Sequence, residues 1–455
     1  MKEEAQTDKS GFIILPNHER YDEKRKVWNN LIDRYPAAIF ECLSEADVIS
    51  AVSFAKKEKM DISVRSGGHH LAGTAVCEEG VMLDLSKMNS VTVDKERQVA
   101  TVEAGAMLGD IDSETQKLGL ATPTGTVSET GIGGLALGGG FGYLRGKYGL
   151  TCDNILSAKM VTADGKLIKV SNDEHTDLFW AIRGGGGNFG VVTSFELQLY
   201  PVGPNVMAID IMYDYKDAKE IFQKLDDYMN NAPDEISVNS IIMQLPPAPF
   251  LPESMHGKRV IAVSGMYTGE LTHETEEAFI EPLQELAIPL MDNTGKTAYT
   301  DLQKKLDQMV PQGAEIVGTS LFFKELDEAM LNIIFESIEN SPLPMAMAQI
   351  WMLNGRMNRV SADETAFAVR DARFLVLFDG EIVSGDPVGS QEWMDSVYNQ
   401  LLPYSYQKTS YLNGVKLGEE ITRNTYGDNY FKLAKIKRVY DPENLFCYNH
   451  NIAPE

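Results

Sequence analysis

The 455 residues carry 41 basic and 66 acidic side chains, a formal charge of −25. That balance argues against nucleic acid and anionic membrane surfaces, since both require positive patches. Hydrophobic residues make up 43%, enough for a large core spread over one to three domains, yet no run reaches the ~18 apolar residues of a membrane span.

The opening MKEEAQTDKS is polar and unlike a signal peptide. Cys42, Cys77, Cys152 and Cys447 show no metal spacing. A cytoplasmic chain with reduced thiols is expected. The spacing predicts a helix over 45–59, with Val48, Val52 and Ala55 on one face and Ser44 as N-cap. Strands are expected at 62–65, 81–85 and 98–103, then a helix over 106–118 ending at Gly119. Residues 158–170 read as a hairpin turning at Asp164-Gly165, and 191–201 as a strand stopped by Pro201. Composition shifts near 203, where the glycine clusters end. Beyond it, 216–230 and 326–339 read as helices and 261–269 and 373–378 as strands. Residues 427–440 read as a last helix before Pro442.

Glycine is clustered. Ten lie between Gly125 and Gly149, five within 184–190, and a pair in RSGGHH at 65–70. Without a Cβ, backbone N–H groups can approach a bulky planar or anionic ligand. Three such loops suggest a large extended cofactor. Gly131-Ile-Gly133-Gly134-Leu-Ala136 imitates a dinucleotide fingerprint, but ATPTGTVSET before it is no buried strand, so a Rossmann unit is not expected. The seven histidines show no HExxH pattern, and neither a GxSxG elbow nor a Walker loop is present.

RSGGHH, the run GIGGLALGGGFGYLRGKYGLTCDN at 131–154, VTADG at 161–165 and DLFWAIRGGGGNFGVVTSF at 177–195 together resemble the FAD-linked oxidases related to berberine bridge enzyme, of the vanillyl-alcohol-oxidase type. YGDNY at 426–430, YDPENLF at 440–446 and NHNIAP at 449–454 extend the resemblance to the C-terminus, with TAFAVRDARF at 365–374 as the middle anchor. The implied fold is α+β. It has a two-subdomain PCMH-type FAD-binding domain over 1–203 and a substrate domain with a large antiparallel sheet flanked by helices over 204–405. A C-terminal segment, 406–455, returns to the FAD domain. The implied chemistry is hydride transfer from a CH–OH or similar centre of a small organic substrate to flavin N5. A protein base removes a proton, and molecular oxygen or another electron acceptor follows. A dehydrogenase with a non-oxygen acceptor and a flavin-loaded binding protein with little turnover are the rival readings.

The resemblance assigns His69 as the covalent FAD link through a ring nitrogen, which must be neutral to attack. The position of a second, cysteinyl link is held by Val127, so one bond is expected, and Cys152 lies off the motif. FAD contacts are expected from Arg65, Ser66, Gly67, Gly68, Val127, Thr130, Gly131, Gly133, Gly134, Gly138, Gly139, Gly140, Gly142, Asp153, Asn154, Gly190 and Val191, and from Asn449 and Asn451 near the ring. No metal is expected. The family's catalytic tyrosine falls on Gly414, and Phe141 and Leu71 also lack hydroxyls. Tyr411 would face away from Gly414 on a regular strand. The base is left among Tyr143, Tyr411, Tyr426 and Asp379, or absent.

Overall fold

The computed structural model describes residues 13–247, 251–383 and 386–455; the polar stretch 1–10 lies outside them. The helix Glu45–Glu58 begins at Ser44, whose hydroxyl accepts the Asp47 amide, and buries Val48, Ala51, Val52 and Ala55. Such a crossover permits parallel pairing. Ala38–Glu41 and Ile62–Arg65 both run parallel to Val81–Asp84, which lies between them. Ile13–Ile14 adds an antiparallel edge.

A second, five-stranded sheet is antiparallel throughout, in the order Val91–Asp94, Val99–Glu103, Val191–Gln198, Ile155–Val161, Leu167–Ser171. Its hairpin closes through Gly165 at φ +75°, as the Asp-Gly pair predicts. The expected helix over 106–118 spans Leu108–Gln116. Pro201 does not end the preceding strand. That strand stops at Gln198, and Tyr200–Pro201 pairs separately with Leu120–Ala121, a short edge pairing that tolerates a missing N–H.

The large sheet begins at Asn205, beside the composition shift. Its path runs Pro289–Asp292, Asn205–Asp214, Arg259–Tyr267, Ile236–Gln244, Met345–Met352, Phe374–Glu381, Ile316–Phe323, and Gly295–Ala298 also pairs with Asn205–Asp214. Every pairing is antiparallel. Helices Ala218–Met229, Glu328–Glu339 and Pro387–Leu401 flank it, and Phe222 meets Phe374 at 5.9 Å between ring centroids. The expected helices at 216 and 326 start two residues late. Residues Tyr215–Asp217 form a 3₁₀ turn, and Asp327 serves as N-cap by accepting the Met330 amide.

The chain ends in helices Glu419–Tyr426 and Asn429–Tyr440, separated at Gly427. It then returns to the first sheet, where the Ile62 amide donates to the Leu445 carbonyl and Tyr448 Oη donates to the Glu78 carbonyl. All four cysteines are free thiols. Among the described residues no helix is long and apolar enough to cross a membrane.

A fully buried ion pair fixes this return. Lys437 Nζ donates to Asp441 Oδ2 at 2.7 Å and to the carbonyls of Asn188 and Phe446 at 2.7 and 3.0 Å. Asp441 in turn accepts the amides of Leu445 and Phe446. Removing one partner of a buried pair strands the other charge. Lys437→Met should therefore cost about 3–5 kcal/mol in urea unfolding; a loss below about 1 kcal/mol would show that Asp441 is not stranded when Lys437 is removed.

Candidate active site

The three glycine-rich loops converge on one cavity of about 630 Å³, within the range of cofactor and ligand sites. The loop after strand Ile62–Arg65 forms one wall. A Cβ on Gly67 would lie 2.4 Å from the Gly131 nitrogen, and one on Gly131 would lie 2.1 Å from the Gly67 nitrogen, so the two backbones touch only because both side chains are missing. Ser66 Oγ donates to the Ala104 carbonyl at 2.6 Å and accepts the Gly133 amide at 3.2 Å. Arg65 turns away from the cavity. Its guanidinium pairs with the buried Asp84 and donates to the carbonyls of Lys24 and Lys26.

His69 lines the cavity, and its Nε2 is buried without a hydrogen-bond partner. The ring stacks on Trp28 at 4.4 Å and 17°. Burial depresses its pKa to about 4, against weaker upward pulls from its own backbone and Asp307. The imidazole is therefore neutral near pH 7. His70 takes a different task. Nδ1 accepts the Ala72 amide, so Nε2 carries the proton and donates to the Leu412 carbonyl at 2.8 Å. Its ring lies 5.6 Å from that of His450, which also lines the cavity and whose Nε2 has no partner.

The opposite wall is the large sheet. Leu375, Leu377, Asp379 and Glu381 alternate toward the cavity along one strand, and Met345, Met347, Gln349 and Trp351 do so along its neighbour. The register sets them in rows: Trp351 beside Leu375, Gln349 beside Leu377, Met347 beside Asp379, Met345 beside Glu381. On the far side Gly318 stands beside Asp379. A Cβ on Gly318 would meet Asp379 Oδ1 and Leu71 Cδ1, each at 2.8 Å, which sets the carboxylate next to the His69 loop. Burial raises the Asp379 pKa to about 6, partly offset by the Gln349 amide that donates to Oδ2 at 3.2 Å. The side chain keeps some accessible surface because it lines the cavity, and the neighbouring walls are largely apolar.

Of the candidate residues, Ser66, Gly67, Gly68, His69, Val127, Thr130, Gly131, Gly133, Gly134, Gly138, Gly190, Val191, Asn449, Tyr411 and Tyr426 line this cavity. Asn451 is not in the wall, although its buried Oδ1 has no partner. Several others serve the protein's own packing. A Cβ at Gly139 would strike Phe367, at Gly140 Thr151, and at Gly142 the Thr124 carbonyl. Asp153 forms a buried pair with Arg370, and Asn154 Nδ2 donates to the Tyr148 and Leu150 carbonyls. Tyr143 packs with Leu144, Met266 and Tyr299 in a separate cluster. Cys152 is buried off the wall, and burial raises its thiol pKa.

The segment around Gly414 is not a strand. Leu412–Gly414 is a 3₁₀ turn closed by the Gly414 amide on the Tyr411 carbonyl, and such a turn brings positions three apart to one side. Tyr411 Cδ1 stands 3.6 Å from where a Gly414 side chain would begin. Its ring packs edge-on to Phe141 at 4.8 Å, and Asn413 Nδ2 donates to its hydroxyl. Burial lifts this phenol to about 12, with Asn413 pulling it down. Sequence reasoning missed Trp28, Gln349, Asn188 and His450. Asn188 Nδ2 donates to the Gly185 and His450 carbonyls, and its Oδ1 accepts the Ile452 amide; only its place in GGGGNFG hinted at this.

The chain matches a family described as FAD binding domain over residues 36–171 and one described as berberine and berberine like over 410–453. It is 32% identical to an FAD-linked oxidoreductase of Dictyostelium discoideum, covering 98% of this chain and 95% of that one. It is also 32% identical to (R)-6-hydroxynicotine oxidase of Paenarthrobacter nicotinovorans, covering 98% and 97%. The crystal structure of 6-hydroxy-D-nicotine oxidase from Arthrobacter nicotinovorans superimposes with a TM-score of 0.85 at 30% identity over 98% of both chains. A chitooligosaccharide oxidase shares the fold at 22% identity, TM-score 0.85 and 97% coverage of both chains. The chain belongs to the berberine-type FAD-linked oxidoreductases.

The cavity fits FAD. Glycine walls, the orphaned imidazole nitrogen of His69 and the free amide oxygen of Asn449 face a space with no protein group to fill it. Gly134 and Gly187 line it, and a Cβ on either would meet no protein atom within 4 Å. Gly134→Ala and Gly187→Ala should accordingly not lower the apoprotein's melting temperature, and within helix Ile132–Leu137 the first should raise it slightly. Each should weaken FAD binding about tenfold or more through overpacking against the ligand, read by flavin fluorescence quenching. Unchanged affinity would place FAD elsewhere.

Proposed function

We propose that this oxidoreductase removes hydrogen from a CH–OH or similar carbon centre of a small organic substrate and delivers the electrons to dioxygen, producing hydrogen peroxide. FAD, when bound, supplies the hydride acceptor at N5. The observation that carries the reading is Asp379, a carboxylate with a pKa of about 6 set in an apolar floor beside the His69 loop. A base works best when its pKa lies near the operating pH. Asp379 meets that condition, whereas the Tyr411 phenol, at about 12, stays protonated and suits orientation of a substrate oxygen. Asp379 therefore accepts the substrate's proton, and Gln349 holds the carboxylate in place through Oδ2.

The neutral His69 is suited to a single covalent flavin link, since Val127 offers no thiol and Cys152 lies off the wall. The described residues of 1–203 with the returning segment 406–455 form the flavin side, and those of 204–405 the substrate side. Met243, Met309, Met345, Met347 and Trp351 make the chamber apolar. Among the described lining residues Asp379 and Glu381 are carboxylates, and no Lys or Arg is present. This wall favours an apolar, uncharged or cationic substrate over an anionic one.

Wild-type protein precipitated in acid should keep its yellow colour, while His69→Ala releases the flavin to the supernatant; release from wild type would refute the link. With a turned-over substrate, kcat/KM should rise as pH increases through about 6, because the base works ionised. Asp379→Asn should flatten that limb and lower kcat by about 10²–10⁴; an unaltered profile would remove Asp379 from the reaction. Reduced protein mixed with air should reoxidise within seconds. Persistence of the reduced form would mark a dehydrogenase with another acceptor.

A further inference from the structure

We infer that Trp28 and Asn29 are positioning residues for covalent flavin attachment: they lock the His69 loop to a segment of the substrate domain. The inference rests on the covalent reading of His69.

Trp28 is 4% exposed and Asn29 2%, an unusual depth for an asparagine outside regular structure. Both sit between the same two segments. Toward the attachment loop, the Trp28 amide donates to the Gly68 carbonyl at 3.1 Å and the indole stacks on His69. Asn29 Nδ2 donates to the Leu71 carbonyl at 3.0 Å. Toward the substrate domain, Trp28 Nε1 donates to the Val310 carbonyl at 2.9 Å, and the Trp28 carbonyl accepts the Gly313 amide. Asn29 exchanges a pair of bonds with Ile316, Nδ2 to the carbonyl at 2.9 Å and Oδ1 from the amide at 3.1 Å. Main-chain groups on both sides of His69 are thus held from one dipeptide. Arg65 bonds the Lys24 and Lys26 carbonyls and so fixes the approach to that dipeptide.

The stack leaves His69 without a hydrogen bond at Nε2 while restricting its ring to one plane. A nucleophile needs that combination: a free lone pair and few orientations to lose. In the attachment step one ring nitrogen of His69 bonds to the flavin 8α-carbon, and one hydrogen leaves each partner. The electron pair of the broken C–H bond reduces the flavin, and dioxygen takes that pair with two protons as hydrogen peroxide. Holding the imidazole in the attacking geometry sets the rate of this step, because misplacement by an ångström can cost about 10²-fold. Val310, Gly313 and Ile316 lie in the 204–405 segment, so this lock on the His69 loop is complete only with that segment packed against it.

The test is covalent incorporation itself. Apoprotein is mixed with FAD, samples are quenched in denaturant, and protein-bound flavin fluorescence is read on a gel, with total FAD binding measured in parallel. Trp28→Leu, which keeps the bulk but loses the flat face, should bind FAD yet incorporate it about 10²-fold more slowly. Trp28→Phe should restore most of the rate. Asn29→Ser, which leaves the stacked face intact but cuts the Ile316 bonds, should also slow incorporation, so either variant decides if the other fails to fold. Wild-type rates in both variants would overturn the inference. Flavin that washes out of wild type in denaturant would instead sink the covalent reading.

Discussion

Gly67 and Gly131 meet backbone to backbone, with no room for a side chain on either, and Ser66 fastens the junction on both sides. This contact joins the end of a parallel strand to the start of helix Ile132–Leu137. It decides where the His69 loop leaves the sheet, and hence which wall the imidazole occupies. The dryness of that wall then keeps the ring neutral. A methyl group at either glycine would separate the two walls before any ligand arrived.

Much of this was written locally. Ser44 and the 3.6-residue spacing after it defined the first long helix, and Asp164-Gly165 defined a hairpin, because caps and tight turns depend on neighbours in sequence. The glycines around His69 were legible for the same reason, whereas His69 itself stood out only through the resemblance of RSGGHH to the FAD-linked oxidases. The glycine triplet at 138–140 was only half legible. Its crowding suggested a ligand, but Asn413, Phe367 and Thr151 occupy the space beside those residues. Partners so far along the chain leave no trace in local spacing.

The chemistry of the opposite wall was harder to read. Asp379 was one of four candidate bases, and it stands out from the tyrosines only once register puts it beside Met347 and Gly318; no motif announces a register. Tyr411 was judged on strand geometry, whereas a 3₁₀ turn reverses the conclusion about which way it faces. No motif marks Trp28 or Lys437. Their importance comes from carbonyl oxygens of segments hundreds or tens of positions away, and only the folded chain brings these within reach.

The strand Phe374–Glu381 has a division of labour that reaches beyond its present substrate. Phe374, Val376 and Phe378 are buried in the core behind the sheet, and the intervening Leu375, Leu377, Asp379 and Glu381 look into the chamber. The two sets can vary independently, since each points away from the other. Descendants of this chain could exchange the inward four to accept new molecules while the hidden layer goes on holding the scaffold, which makes this strand a natural place for selectivity to drift.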